Sequence, residues 1–183
     1  MNSHLILSSC NLAYELHKDQ TRRESGHPFF DAHLVPVAEM VQANGGDDLA
    51  IAAAYLHDAI EDIGPHTREQ IVAISPDVLA IVEQLTERGD SWQEEKSGYV
   101  AGVAQMDQRA LLVSICDKLT NARDFSDEWE RGQFGKRPVQ IIWFFEQLLD
   151  AYGKRDIALG GACKGLLWDL HARVGCMQEL EGR

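Results

Sequence analysis

The chain has 183 residues, 45% of them hydrophobic and 25% charged, with a formal net charge of −12. That length suits one ordinary domain with a full hydrophobic core, and the composition is that of a soluble globular protein. The acidic balance excludes a surface built for nucleic acid, and no apolar run reaches the ~18 residues needed to span a bilayer.

The N-terminus has neither a basic start nor a small-residue cleavage site, and the cysteines at 10, 116, 163 and 176 form no CxxC pair. Both features predict a cytoplasmic protein with reduced core thiols, and argue against a zinc knuckle or a redox motif. The first helix is expected over Ser3 to Gln20, where Ile6, Leu7, Leu12 and Leu16 form a helical stripe. A polar loop with Gly26 and Pro28 follows, and His33 opens a second helix running to about Asn44. Asn44-Gly45-Gly46-Asp47 ends it, and Asp47 or Asp48 caps a long central helix that Gly64-Pro65 stops.

Thr67 with Gln70, and Ser91 with Glu94, have capping-box spacing, and Ser75-Pro76 supplies a cap followed by a first-turn proline. Helices are therefore predicted over 67–74, 76–87, 91–106, 108–123, 138–152 and 156–179, with Gly132 and Gly135 in a loop before 138. No alternating strand pattern, repeat or low-complexity segment intervenes. The fold class is all-α, a single domain over residues 1–183.

The stretch AAAYLHDAIEDIG, from Ala52 to Gly64, concentrates the chemistry. As one helix it is apolar on nearly every side. His57 and Glu61 would stack one turn apart on one face, as would Asp58 and Asp62. Buried charges are costly unless paired or bound to metal, so a divalent cation held by His57 and Asp58 is the simple rescue, with Glu61 and Asp62 managing a water. An HD dipeptide alone occurs by chance, and a single histidine on an apolar helix is more often a hydrogen-bonded core residue.

Two further residues strengthen the case. His33 follows a loop where its ring can turn inward, and Asp117 interrupts the apolar run LLVSICDKLTNARD. Two imidazoles and two carboxylates make a mixed nitrogen and oxygen site with positions left for water, open to Mn²⁺, Fe²⁺, Co²⁺ or Zn²⁺. Asp117 could equally form a buried ion pair with a neighbouring arginine or lysine. Glu61 and Asp62 could be the solvated end of the helix, but beside a metal such carboxylates orient a water or accept its proton. Arg22, Arg23, Lys118 and Arg123 lie near these motifs, so an anionic small molecule remains an available substrate.

His33, His57-Asp58 and Asp117, in that order, resemble the HD-domain metal phosphohydrolases. More narrowly, LHDAIEDIG resembles the HDxxED signature of the alarmone hydrolase branch, which comprises the hydrolase domain of Rel/SpoT-type enzymes and the stand-alone small alarmone hydrolases. HKDQTRRESGHPFFDAHLVPVA is similar to the family's HxxQxRK…PY..H…VA segment, IVEQLTE to its helix ending in threonine, and CDKLTNARD to its D[KR]LxNxR segment. The resemblance covers about residues 12 to 125.

It implies an HD-type helical bundle in which His33, His57, Asp58 and Asp117 hold Mn²⁺, one ion per chain, while Glu61 and Asp62 activate the attacking water. It further implies Arg22 and Arg23 as a basic pair at the substrate and Asn121 on its ribose side, with Lys96 or Lys118 helping to neutralise phosphate. The implied reaction is removal of the 3′-pyrophosphate from an alarmone such as ppGpp, pppGpp or an adenine analogue. Its partner is a small nucleotide, with neither nucleic acid nor membrane, and the sequence sets no oligomeric state.

Against the family pattern, Ile63 replaces a threonine after the ED pair and Ser75-Pro76 replaces Phe-Gly. Ser114 stands where many relatives carry lysine, and one extra residue separates Pro28 from His33. Another nucleotide or NADPH as substrate, or a metal-bearing nucleotide sensor without turnover, are the alternatives. A sensor, however, has no need of a water-activating carboxylate pair.

Overall fold

A computed structural model of the chain describes residues 3–22, 25–130, 138–155 and 160–181. Arg23, and the predicted loop with Gly132 and Gly135, lie outside the described residues. Among the described residues all regular structure is helical, apart from an isolated bridge between Thr21 and Pro28. None of these helices is long and apolar enough to cross a membrane.

Helix α1 spans Ser3–His17, α2 Val35–Ala43 and α3 Asp48–Leu56. The α3 start follows the predicted cap, with Asp47 Oδ1 accepting from Ala50 N at 3.0 Å. Gly46 lets the loop between α2 and α3 fold back tightly on the end of α2, because a β-carbon there would stand 2.5 Å from Val41 Cγ1 and 2.9 Å from Val41 O. Helices α4 (Thr67–Ile74), α5 (Pro76–Leu85) and α6 (Trp92–Gly102) follow, α6 continuing into a 3₁₀ turn over Val103–Gln105. The long α7 (Gln108–Glu130), α8 (Pro138–Gly153) and α9 (Gly160–Glu181) complete the bundle.

Ser75 Oγ caps α5 and Ser91 Oγ caps α6, each accepting from the backbone three residues on at 3.3 Å. Thr67 does not cap α4 as its spacing predicted. Its hydroxyl turns back and donates to the carbonyls of Gly64 and Ala59 at 2.8 and 3.3 Å.

The predicted second and central helices are interrupted where the chemistry lies. Phe30–Leu34 forms a π-helical turn ahead of α2, so His33 sits in its wide coil rather than opening an α-helix. The apolar run from Ala52 is likewise not one helix. It leaves α-geometry after Leu56, turns through His57 and Asp58, and runs as a second π turn over Ala59–Ile63. Gly64 ends that turn at φ 128°, a conformation L side chains rarely adopt. Such turns are uncommon and gather at functional sites, because they re-aim side chains that a regular helix would stack.

The core is shared by α3 (Ala50, Ala52, Ala53, Ala54, Leu56) and α7 (Leu111, Leu112, Ile115, Leu119), all with at most 1% exposure. Helix α2 packs on both, and α1 packs across α3 and the second π turn. This arrangement faces Asp117, from the buried middle of α7, toward the His57-Asp58 junction.

Candidate metal centre

Four side chains from three parts of the fold converge. His33 Nε2 and His57 Nε2 are 3.3 Å apart, and Asp58 Oδ2 lies 3.3 and 3.1 Å from them. Asp117 Oδ1 approaches the same nitrogens at 3.2 and 3.5 Å. The ligand atoms of His33, His57 and Asp58 all lie within 4.8 Å of one another. An ion about 2.1 Å from each donor would set neighbouring donors about 3.0 Å apart in an octahedron and about 3.4 Å in a tetrahedron, so the spacings match a metal cradle.

The donor chemistry matches too. His57 Nδ1 donates to the Ala54 carbonyl at 2.8 Å, which leaves its Nε2 lone pair facing the cluster. Four electron-rich atoms this close repel one another unless a positive charge sits among them. Burial opposes a charged ring at His57, yet the carboxylates of Asp58 and Asp117 outweigh it and hold the ring well above its usual pKa. Burial would raise Asp58 and Asp117, but His57 pulls the first below the ordinary carboxylate range, and Lys118 with His57 does the same to the second. A divalent ion would supply that positive charge more fully. His33, His57 and Asp117 are almost sealed, whereas the Asp58 side chain is 20% exposed, so the cluster opens on the Asp58 side.

The second π turn carries Glu61 and Asp62. Both residues reach solvent. Even so, partial dehydration and then the charge of Asp58 push Glu61 up to about 7, against the pull of Lys118. Asp62 is raised by the same two causes, opposed by a hydrogen bond from Gln20 Nε2 to its Oδ2 at 2.7 Å. Glu61 therefore faces the Lys118 side of the site and Asp62 the α1 side.

The expected cations are placed differently from one another. Arg22 donates to Asn121 Oδ1 at 3.2 and 3.3 Å, pairs with Asp124, and stands 5.8 Å above the Phe29 ring. Asn121 Nδ2 in turn donates to Asp117 Oδ1 at 2.7 Å, so Arg22 is coupled to the centre through one amide. Lys118 is buried, its Nζ 2.8 Å from Asp117 Oδ2, 3.5 Å from Glu87 Oε1 and 4.6 Å from the Tyr99 ring centroid. Lys96 pairs with the same Glu87 and lies 5.0 Å from the Phe144 centroid. Both lysines thus neutralise buried carboxylates, and Asp117 carries the lysine ion pair and the convergence on the imidazoles at once. Arg123 pairs with Asp169 of α9.

His17, Gln20, Glu87, Tyr99, Asp124 and Tyr152 join the surroundings of the centre without an individual role legible in the sequence. Ser114, at the family's lysine position, bridges the hydroxyls of Tyr99 and Tyr152 at 2.6 Å each. The bridge is neutral and sealed in the core.

A helical bundle with paired histidines and aspartates meeting at the centre defines the class, and residues 9–143 match the HD domain family profile. The chain belongs to the HD-domain family. It is 34% identical over 160 residues to guanosine-3′,5′-bis(diphosphate) 3′-pyrophosphohydrolase MESH1 of Xenopus tropicalis, a match covering 85% of this chain and 89% of that one. A probable guanosine-3′,5′-bis(diphosphate) 3′-pyrophosphohydrolase of Synechocystis is 32% identical over 126 residues, which are 65% of this chain but 16% of that protein. The solved structure of a metazoan ortholog of SpoT, described as hydrolysing ppGpp, superposes with a TM-score of 0.78 over 96% of this chain and 98% of its own. At 22% identity it shows a shared fold.

Proposed function

We propose that this chain is an Mn²⁺-dependent alarmone hydrolase that removes the 3′-pyrophosphate of ppGpp, pppGpp or their adenine analogues. One observation carries the reading: His33, His57, Asp58 and Asp117 converge at 3.1–3.5 Å beside a carboxylate, Glu61, poised near neutrality. The similarity to MESH1 along most of both chains supports the substrate. The reading takes residues 1–183 as one domain and places it in the cytoplasm.

His33, His57, Asp58 and Asp117 would hold the ion, which when bound supplies Lewis acidity at the water and the phosphoryl oxygens. Glu61 accepts the proton of the attacking water. The water oxygen bonds to the phosphorus carried on the 3′-oxygen, the P–O3′ bond breaks, and the 3′-oxygen takes up a proton as pyrophosphate leaves. Arg22, with Arg23 next to it in the chain, neutralises phosphate charge, and Asn121 ties Arg22 to the centre. Lys96 and Lys118 act indirectly, by neutralising Glu87 and Asp117.

Chelated and Mn²⁺-reloaded protein, assayed against ppGpp, ppApp, deoxynucleoside triphosphates and NADPH, tests the assignment. The expected product is pyrophosphate, released from the alarmones only with the metal restored. Turnover confined to triphosphates or NADPH, or orthophosphate as the sole product, would overturn it.

A further inference from the structure

The motif residues His17 and Gln20 play no part in the mechanism above, yet they form a hydrogen-bonded chain ending on Asp62. Gln20 Nε2 donates to Asp62 Oδ2 at 2.7 Å across 42 residues of sequence, and His17 Nδ1 lies 2.6 Å from Gln20 Oε1. The direction of the second bond follows from the first. An ionised Asp62 requires the amide N–H, so the amide oxygen faces the ring and His17 must donate from Nδ1.

Gln20 is held from both sides. Its backbone N–H donates to the His17 carbonyl and its own carbonyl accepts from Phe29 N, both at 2.9 Å. The His17 ring is 1% exposed and stacks on Phe29 at 5.3 Å and 26°, and Phe29 in turn lies 5.1 Å from the His33 ring. Packing alone does not explain an imidazole here. Its Nε2 is buried without a hydrogen-bond partner among the described residues, an expense that an apolar ring of similar size would avoid. What the imidazole adds is the Nδ1–H that fixes the amide.

We propose that Gln20, braced by His17, is a positioning residue for Asp62: it pins Oδ2 so that Oδ1 alone addresses the attacking water. Asp62 stands on a five-residue π turn and reaches solvent. A carboxylate there samples several rotamers unless a rigid neighbour selects one, and small misplacements of a water-orienting group are expensive in rate. The inference rests on the hydrolase reading above.

Gln20→Met keeps side-chain length and His17→Phe keeps the stack on Phe29, so both variants should fold. In each, kcat for pyrophosphate release should fall, by about 10-fold or more for Gln20→Met, while KM and the Mn²⁺ affinity measured by calorimetry stay within about twofold. The double variant His17→Phe/Gln20→Met should be no slower than Gln20→Met, and Gln20→Met should add nothing in an Asp62→Asn background. In metal-free protein, the His17 ring N–H should give a protected NMR resonance that Gln20→Met loses. Unchanged kcat in an active wild type, losses that multiply in the double variants, or a ring resonance indifferent to Gln20 would overturn the inference alone. A wild type that releases no pyrophosphate while keeping the resonance would instead overturn the hydrolase reading, and the catalytic role of Gln20 with it.

Discussion

Replacing Lys118 by methionine keeps the aliphatic stem over Tyr99 and removes the charge from between two buried carboxylates. The side chains of Lys118, Asp117 and Glu87 are 11%, 5% and 4% exposed, with separations of 2.8 and 3.5 Å. At an effective dielectric of about 20, those separations correspond to roughly 6 and 5 kcal/mol of gross attraction. Removing the ammonium also removes its own dehydration penalty, several kcal/mol, and Glu87 keeps Lys96. The net loss in metal-free protein should be about 3–5 kcal/mol, the scale for stripping one partner from a buried pair, or roughly 10 °C in Tm for a chain of this size. Urea titration and thermal melts measure it. Saturating Mn²⁺ should restore part of the loss, because a cation beside Asp117 takes over the missing charge, and KM should change less than stability. A loss under about 1 kcal/mol with a large rise in KM would refute this reasoning and return Lys118 to the substrate phosphates.

Chelation should lower Tm by roughly 5–10 °C relative to protein at 100 times the metal Kd, since binding only to the native state adds about 2.7 kcal/mol there. Metal analysis should find one ion per chain in wild type and none in His57→Ala. Glu61→Gln should keep the metal but lose at least ~10²-fold in kcat. In the wild type, kcat should fall as pH drops through about 7 or somewhat below, because Glu61 must be ionised to accept a proton and is raised to about 7 before a metal pulls it down. The same raised pKa means that folded, metal-free protein holds a proton at pH values where the unfolded chain has released it. That contribution to stability is complete below the ordinary glutamate value and is lost as pH rises through about 7, so Glu61→Gln should flatten the decline in chemical denaturation. Arg22→Ala should raise KM about 10-fold with metal content intact, given ~1.5–3 kcal/mol for a charge-assisted contact, and should reduce the salt sensitivity of binding.

Much of the architecture was legible because its punctuation is local. Asp47, Ser75 and Ser91 cap helices where their spacing to the following amides says they should. Of the four converging residues, His57, Asp58 and Asp117 were readable as ionisable groups stranded in apolar runs, and His33 as a ring after a loop with room to turn inward. The π turns were not, because five residues are too few to separate their periodicity from that of an α-helix. The local sign of the second, Thr67, had an equally good alternative as a cap, and the extra residue between Pro28 and His33 did not by itself say where the first coil would widen. The partners of Lys96 and Lys118 were hidden for another reason: Glu87 lies beyond the end of α5, where nothing in helical spacing aligns it with α7. Gln20 could be matched to a motif, but its bond to Asp62 exists only once α1 has folded across the second π turn.

The first π turn bears on how the gene can change. Relative to the family pattern, this chain carries one surplus residue between Pro28 and His33, and Phe30–Leu34 closes with Val35 N–H on the Phe30 carbonyl, a loop one residue longer than an α-turn. The extra residue is taken up by widening one coil, so α2, which follows directly, keeps its register and His33 still points inward. The segment therefore has a length tolerance that its neighbours lack: an added codon bulges harmlessly here, whereas one inserted in the middle of α7 would swing Asp117 about 100° around the helix axis and out of the cluster.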